Sequence, residues 1–420
     1  MLHRKFFFLL RPNVPAICTF TLQLLDCRCV KSPLIFLSAG EASGDHYGAE
    51  LITALREVLP EARFTGLGGT AMEAVGQERV IRAEDVAVMG ITEILRHIPT
   101  ILRSYNALVQ SIKKQRPDVA VLIDFPDVNF RLAKHLKQMG VPVIWFVSPQ
   151  LWAWKRKRLR WVQQRVSKML TIFPFEQPFY ENRGVKAEFV GHPLAEQPLP
   201  TITREAYATR YALNPLKPWV ALLPGSRGGE IDANLPGLVQ AAMLLGDGYE
   251  YLIPVAPTVN HDRRDQMRSH ARSGSFHLVD DARAALMHSR AAVVASGTAT
   301  VQTAVIGTPF VVVYRVSNLT FRMAKALVKY PPEIPAEVDQ HGNLPIAMVN
   351  LIAKRRVVPE LLQDQFTGAN VAAALKPLLA DTPQREEQIE ALAEVRRRLL
   401  SPTNHTAIES LRDAVLEALS

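Results

Sequence analysis

Two stretches of small residues stand where an apolar run gives way to a helical one, and both suit an anion. In LLPGSRGGE (222–230) the run ends in a glycine-rich loop. The backbone N–H groups of such a loop can approach a phosphate, and Arg227 can grip one through a fork of charge-assisted bonds. In ASGTATVQTAVIGTPFVVV (295–313) a second run ends in Ser296, Gly297, Thr298 and Ala299 before a helix opens. Small side chains there let a ligand reach a helix N-terminus, where the macrodipole favours negative charge. Either stretch alone also reads as a plain tight turn. Two phosphate-type turns in one half of a chain point to a nucleoside diphosphate. Neither follows G-x-G-x-x-G or G-x-x-x-x-G-K-[ST], so dinucleotide redox chemistry and P-loop hydrolysis lose support.

The other half holds the acids. LIDFPDVNF (122–130) sets Asp124 at the C-terminal end of a strand, where parallel sheets place reactive groups. A carboxylate there can take a proton from a hydroxyl nucleophile. Asp127 and Asn129 follow on the loop, with Asp127 suited to cap the next helix. SAGEASGD (38–45) puts Glu41, Ser43, Gly44 and Asp45 at an equivalent turn, where turn chemistry alone is the alternative. His192, in FVGHP, falls where the two halves meet, although a lone histidine is more often structural. No H-x-x-H, H-E-x-x-H or D-x-D spacing occurs, so no metal is called for. SPQLWAWKRKRLR (148–160) sets Trp152 and Trp154 before a block of positive charge, with Trp161 next. A nucleic-acid groove, a membrane surface and a plain helix start all fit that segment.

The elements that must position these residues follow from pattern. The chain has 420 residues, 48% hydrophobic and 21% charged, which suits a folded protein of two domains. Net charge is +9. Residues 1–31 hold Arg4, Lys5, Arg11, Arg28 and Lys31 against Asp26, so the remainder carries a mild excess of +5. That suits an anionic membrane face better than nucleic acid. Cys18, Cys27 and Cys29 lie in the same leader, and the rest of the chain offers neither a disulfide framework nor a cysteine zinc site. Arg11 and Pro12 cut the leader's apolar patch, and the globular pattern begins at Pro33. The leader reads as a poorly ordered appendage or an early start codon. No later apolar run reaches the roughly 18–20 residues of a spanning helix.

Strands are expected at 33–40, 62–69, 117–127, 141–149 and 168–175, alternating with helical stretches such as 88–115, with a kink at Pro99, and 129–139. A proline-rich texture at 193–218 marks a boundary, and the alternation restarts at 219. The fold class is α/β, with two Rossmann-like doubly wound domains facing across a cleft. The expected divisions are leader 1–31, first domain 32–197, linker 198–212, second domain 213–380 and terminal helices 381–420, split at Ser401–Pro402.

SAGEASGDHYGA, GLGG, VMGITEIL, PDVAVLIDFPDVNFRLA, SPQLWAWKRKR, FPFE, FVGHPLAE, LLPGSRGGEI, ASGTATVQTA and NLIAKRRVVPELLQ occur in this order. Together they resemble the lipid-A-disaccharide synthase family across residues 33–420. The resemblance implies the GT-B glycosyltransferase architecture, with the terminal helices returning to the first domain. It implies transfer of 2,3-diacylglucosamine from UDP to 2,3-diacylglucosamine 1-phosphate, with inversion and with no cofactor or metal. Asp124 matches the family's proposed general base. Glu41, Ser43, Arg227, Glu230 and Asn350 match positions linked to activity or donor binding. It further implies a peripheral protein on the cytoplasmic face of a bacterial inner membrane, with no nucleic-acid partner. A homodimer is compatible with it. Trp152, Trp154 and Lys155–Arg158 would then meet the membrane or the acceptor's phosphate, or else pack at the cleft floor beside a solvated helix face. Three departures stand out: Gln302 replaces a common Glu, PPEIPAEVDQHGNLPIAMVN (331–350) is longer than usual, and Lys354 replaces a common Gly. An isomerase like UDP-N-acetylglucosamine 2-epimerase on the same fold would need no lipid. A nucleic-acid binder would bind with steep salt dependence and leave both phosphate turns without a use.

Overall fold

The computed structural model describes residues 32–83, 91–257, 259–270 and 275–420, apart from the side chains of 91–101. The leader with its three cysteines, the opening of the VMGITEIL motif and the side chains around Pro99 lie outside the described residues. Seven strands form the first sheet: β1 (Leu34–Ala39), β2 (Arg63–Gly68), β3 (Gln77–Arg82), β4 (Val119–Ile123), β5 (Val143–Phe146), β6 (Lys168–Thr171) and β7 (Ala187–Phe189). Their order is β3-β2-β1-β4-β5-β6-β7, and neighbours such as β1 and β4 run parallel. The second sheet holds β8 (Trp219–Leu223), β9 (Glu250–Pro254), β10 (Phe276–Val279), β11 (Ala291–Ala295), β12 (Phe310–Tyr314) and β13 (Glu360–Leu362), in the order β10-β9-β8-β11-β12-β13.

Central strands such as VAVLI of β4 and AAVVA of β11 are buried along their whole length. Helices on both sheet faces leave no wet side, so these strands read as unbroken apolar runs. The edge strand β3, QERVIR, is polar and only partly covered, and hydrophobic patterning does not reveal it. In each sheet the strand order reverses once, between β1 and β4 and between β8 and β11. Loops leaving the carboxyl ends of such a pair diverge to opposite faces and open a crevice.

The helix Ala42–Val58 covers one face of the first sheet with Tyr47, Leu51, Ile52 and Leu55. The last helix, Ala407–Leu419, packs beside it through Leu411 and Val415. The preceding helix, Pro383–Leu399, departs from the expected return to the first domain. It packs on the helices Thr298–Ile306, Met348–Ala353 and Gly368–Leu379 of the second half. Its buried Gln388 explains this: the side chain accepts from Phe310 N at 2.7 Å and donates to Val357 O at 3.1 Å. One apolar cluster spans both halves and joins Trp152 and Phe175 to Ile334 and Ala347.

The helix expected from 129 begins at Pro126, whose fixed φ suits a first helical position. Asp127 sits in its first turn and pairs with Arg158 at 2.7 Å, so it does not cap the helix. No helix of the described residues is long and apolar enough to cross a membrane.

Gly66 in β2 has φ +136°, and a Cβ there would sit 2.0 Å from Leu37 O. Both the backbone angle and the neighbouring strand exclude a side chain. Gly66→Ala is expected to cost about 2–4 kcal/mol of stability. Urea unfolding measures it, and a loss under about 1 kcal/mol would contradict the packing described.

Candidate active site

Asp124 is the first residue beyond β4, and it is held by a knot of hydrogen bonds. Its N–H donates to Phe146 O at 2.9 Å. Its carbonyl accepts from Asn129 Nδ2 at 2.8 Å. The same amide donates to Ser38 O and Ile123 O, both at 3.3 Å, and Asn129 Oδ1 accepts from Ser38 Oγ at 2.6 Å. Asn129 is wholly buried and thus ties the end of β1 to the end of β4. It positions Asp124 and has no face left for a substrate. Asp124 and Phe125 both have left-handed φ, 45° and 47°. Two such non-glycine residues in succession cost energy that the surrounding knot must offset. The turn lays the Phe125 ring over Gly40, where a Cβ would lie 2.5 Å from the ring.

Asp124 is half-buried. Burial pushes its carboxyl up to about 6, the nearby Glu41 carboxylate adds to this, and the Phe125 N–H partly opposes it. A group with that pKa changes charge near neutrality, as a proton acceptor must.

The first turn sorts into two kinds of residue. Glu41 and Ser43 are exposed at the mouth of the helix Ala42–Val58. Gly44 is buried, and a Cβ on it would press on Ala39 and Ile123 at 3.1 and 3.3 Å, so this glycine lets the helix sit on the strand ends. Asp45 points away from the cleft. Its carboxylate accepts from the N–H groups of Gly69, Ala71 and Met72 at 2.8, 2.9 and 3.1 Å. It is therefore the cap of the helix Thr70–Ala74, and it accounts for the GLGG stretch, because a Cβ on Gly69 would lie 2.4 Å from the carboxylate.

At the second reversal, Arg227 caps the helix Gly228–Leu245 and is exposed. It reaches Glu41 across the cleft at 3.6 Å and Glu230 at 3.3 Å. Glu230 Oε2 accepts from the N–H groups of Ser226 and Arg227 at 3.0 and 3.3 Å, which fills part of the loop with a carboxylate. Gly225, at φ +120°, makes room for it. Arg263, which sequence reading missed, also borders the loop: its NH2 lies 2.9 Å from where a Cβ on Gly228 would be. It lies in a polar helix, His261–His270, with no motif to mark it. Beside the loop, Ser296, Gly297, Thr298 and Ala299 form the β11 turn, with Gly297 capping the helix Thr298–Ile306 at φ 153°. Gln302, one turn on, is half-buried.

Three candidates are buried away from any ligand: Trp152, His192 and Asn350. Trp152 is 2% exposed, and its Nε1 donates to the buried Glu176 at 3.1 Å. It packs on Phe175 and Tyr330 at the cleft floor and cannot meet a membrane. Trp154, 44% exposed, remains at the surface. His192 is a buried helix cap whose Nδ1 accepts from Leu194 N at 3.1 Å, and burial drives its pKa down to about 3. Asn350 is buried, and its amide is fully used: Nδ2 donates to Val358 O and Glu360 Oε1 at 3.0 and 2.8 Å, and Oδ1 accepts from Val357 N and Val358 N. It anchors the loop after its own helix and does not face the cleft. Lys354 ends that helix at φ 57°, the left-handed position where glycine is favoured.

A family model described as lipid-A-disaccharide synthetase matches residues 35–415. The chain is 53% identical to the lipid-A-disaccharide synthase of Acidobacterium capsulatum, over 88% of this chain and 93% of that protein. It is 48% identical to that of Koribacter versatilis, over 91% of this chain and 97% of that protein. Among solved structures, MurG of Acinetobacter baumannii superposes with a TM-score of 0.54 at 11% identity, over 92% of this chain and 99% of that one. That likeness concerns the fold, which is GT-B.

The raised pKa of Asp124 has a stability consequence. Folding favours the protonated form, so the charge weighs against the fold above about pH 6 and ceases to matter below the unfolded value near 4. Asp124→Asn is expected to stabilise the protein at pH 8 by about 1–2 kcal/mol, with the gain fading towards pH 4. Denaturant titrations at both pH values measure this. An equal effect at both would mean the carboxylate is not strained by burial.

Proposed function

The chain belongs to the lipid-A-disaccharide synthase family, and we propose the following division of labour within it. The protein transfers 2,3-diacylglucosamine from UDP to the 6-hydroxyl of 2,3-diacylglucosamine 1-phosphate, giving a disaccharide 1-phosphate and UDP. Asp124 takes the hydroxyl proton. The freed oxygen attacks the anomeric carbon in line, the bond from that carbon to the pyrophosphate oxygen breaks, and UDP leaves with inversion. The observation that carries this reading is the placement of Asp124, Glu41 and Arg227. A carboxyl raised to about 6 lies beside Glu41, which reaches Arg227 on the opposite strand reversal at 3.6 Å.

Arg227 meets the charge growing on the pyrophosphate, together with the N-terminus of the helix Thr298–Ile306 at Ser296–Thr298. Glu230 holds the loop in shape rather than touching the donor. The half-buried Gln302 amide takes the ribose hydroxyls. Glu41 and Ser43 line the acceptor side, and Glu41 also sets the basicity of Asp124. Residues 32–197 would hold the acceptor and 213–380 the donor, 198–212 would link them, and the chain would work at the cytoplasmic face of an inner membrane, as a monomer or homodimer. The Arg227–Glu41 pair is exposed, so it serves as a contact the incoming pyrophosphate replaces rather than as a lock.

Purified protein given both acylated sugars should yield disaccharide by mass spectrometry. Interconversion of a lipid-free UDP-sugar alone would instead favour an isomerase. Asp124→Asn should lower turnover by about 10²–10⁴ while leaving UDP binding intact. In wild type, turnover should rise through a limb near pH 6 as Asp124 ionises. Glu41→Gln removes a negative neighbour, so the limb should move to lower pH; a limb that stays in place would show that Glu41 does not act on the base. Arg227→Ala should weaken donor use by about 10–100-fold, the worth of a charged hydrogen bond, and acceptor use much less.

A further inference from the structure

The helix Asn318–Leu327 is unlike the other helices of its size here, since none of its residues is buried. Leu319, Met323 and Leu327 are 71%, 54% and 62% exposed. They recur every fourth residue, so they form one stripe along the helix. Phe321 and Val328 are half-buried and lie on the opposite side, so the stripe faces directly away from the protein. Arg322 borders the stripe on one side, and Lys329 follows just past the end of the helix, exposed. From 315 to 330 the sequence holds Arg315, Arg322, Lys325 and Lys329 and no acid. Lys325 lies on the inner side, where its Nζ donates to His341 O and Asn343 Oδ1 at 3.0 and 3.1 Å. The next acid along the chain, Glu333, is already paired with Arg183 at 2.9 Å.

Trp154 belongs to the same surface. Lys329 N donates to Ala153 O at 3.2 Å, which sets Trp154 at the C-terminal end of the helix. Lys155 Nζ stands over its ring at 4.0 Å. The other basic residues of that segment are partly spent locally. Arg156 donates to Trp152 O at 3.1 Å and to Lys329 O, and Arg158 pairs with Asp127.

We propose that the helix Asn318–Leu327, with Trp154 at its end, is the surface that docks on an anionic lipid bilayer, lying in the headgroup plane. The inference rests on the lipid-substrate reading above and names the element that reaches the membrane. A short helix with an outward apolar stripe, cations along one edge and at its end, and no acid of its own matches what an anionic interface takes: apolar side chains enter the acyl boundary while cations meet the headgroups. Tryptophan at the edge favours the same depth. The helix opens at Ser317, on the rim of a cleft shared with Arg315, Gln363 and Asp364 at the ends of β12 and β13. Docking there would bring the open side of the second sheet to the bilayer that holds the acylated sugars.

The test is flotation of the full chain with vesicles of phosphatidylglycerol and phosphatidylethanolamine, against phosphatidylcholine alone. Leu319→Ser, Met323→Ser and Leu327→Ser together should lower partitioning into the anionic vesicles by about tenfold or more, at low and high salt alike. Arg322→Gln with Lys329→Gln should lower it several-fold at low salt, with the difference fading as salt screens the charges. Uridine nucleotide affinity and turnover on detergent-dispersed sugars should not change in either variant. Partitioning within twofold of wild type for both variants would overturn the proposal. So would a triple variant that changes only the oligomeric state, because the stripe would then be covered by a second copy. Wild type that makes disaccharide in detergent but ignores anionic vesicles overturns the docking surface alone. Wild type that floats but makes no disaccharide overturns the enzymatic reading instead.

Discussion

A reversal of strand order in a parallel sheet is the constraint from which the site follows. Right-handed crossovers send the chain to one face on one side of the reversal and to the other face beyond it. The loops at the carboxyl ends of β1 and β4 therefore part, as do those of β8 and β11. No helix can close either gap without breaking the winding. The protein sets two such gaps opposite each other, and Arg227 and Glu41 span the space at 3.6 Å. Everything that varies between the two halves is carried by the loops at those gaps: an acid and its neighbour in the first, glycine and hydroxyl turns in the second.

Opening a gap at the end of β4 also loosens it, and the Asn129 amide counters that. It gathers the carbonyls of Ser38, Ile123 and Asp124 and the Ser38 hydroxyl into one buried knot. With backbone partners fixed, the chain can hold two left-handed residues in succession and keep Asp124 half-buried beside a second carboxylate. The same burial that makes the group a better base destabilises its charged form. Stability is given up at Asp124, the base of the proposed reaction, and neighbouring hydrogen bonds offset the loss.

Many polar residues in the short motifs are bonded to backbone and so maintain shape. Asp45 caps the next helix, Glu230 satisfies loop N–H groups, His192 caps a four-residue helix, and Asn350 ties down a loop through four hydrogen bonds. Loops that must leave space for a ligand cannot fill themselves with apolar side chains, so short polar groups bind the backbone. A polar residue in a motif is thus ambiguous until its partners are known. The tryptophans of 152–161 show the same ambiguity: Trp152 ends at the cleft floor beside Glu176, while Trp154, two residues on, stays in solvent.

The sequence by itself determined the two α/β halves, because strands buried on both faces must be continuous apolar runs and strand ends must carry small residues to turn. It determined that Asp124 follows a central strand and that Arg227 and Ser296–Thr298 open helices. Edge strands such as β3 escaped it, because a strand covered on one side need not be apolar. Only the tertiary structure decided which polar residues are consumed internally, since Asp45 and Gly69 are 24 residues apart in the chain and nothing local joins them. It alone placed the helix Pro383–Leu399 on the second half, through a buried Gln388 that composition would put at the surface. It also decided that the stripe of Leu319, Met323 and Leu327 faces outward, because amphipathic spacing fixes a common face of a helix but not what that face meets.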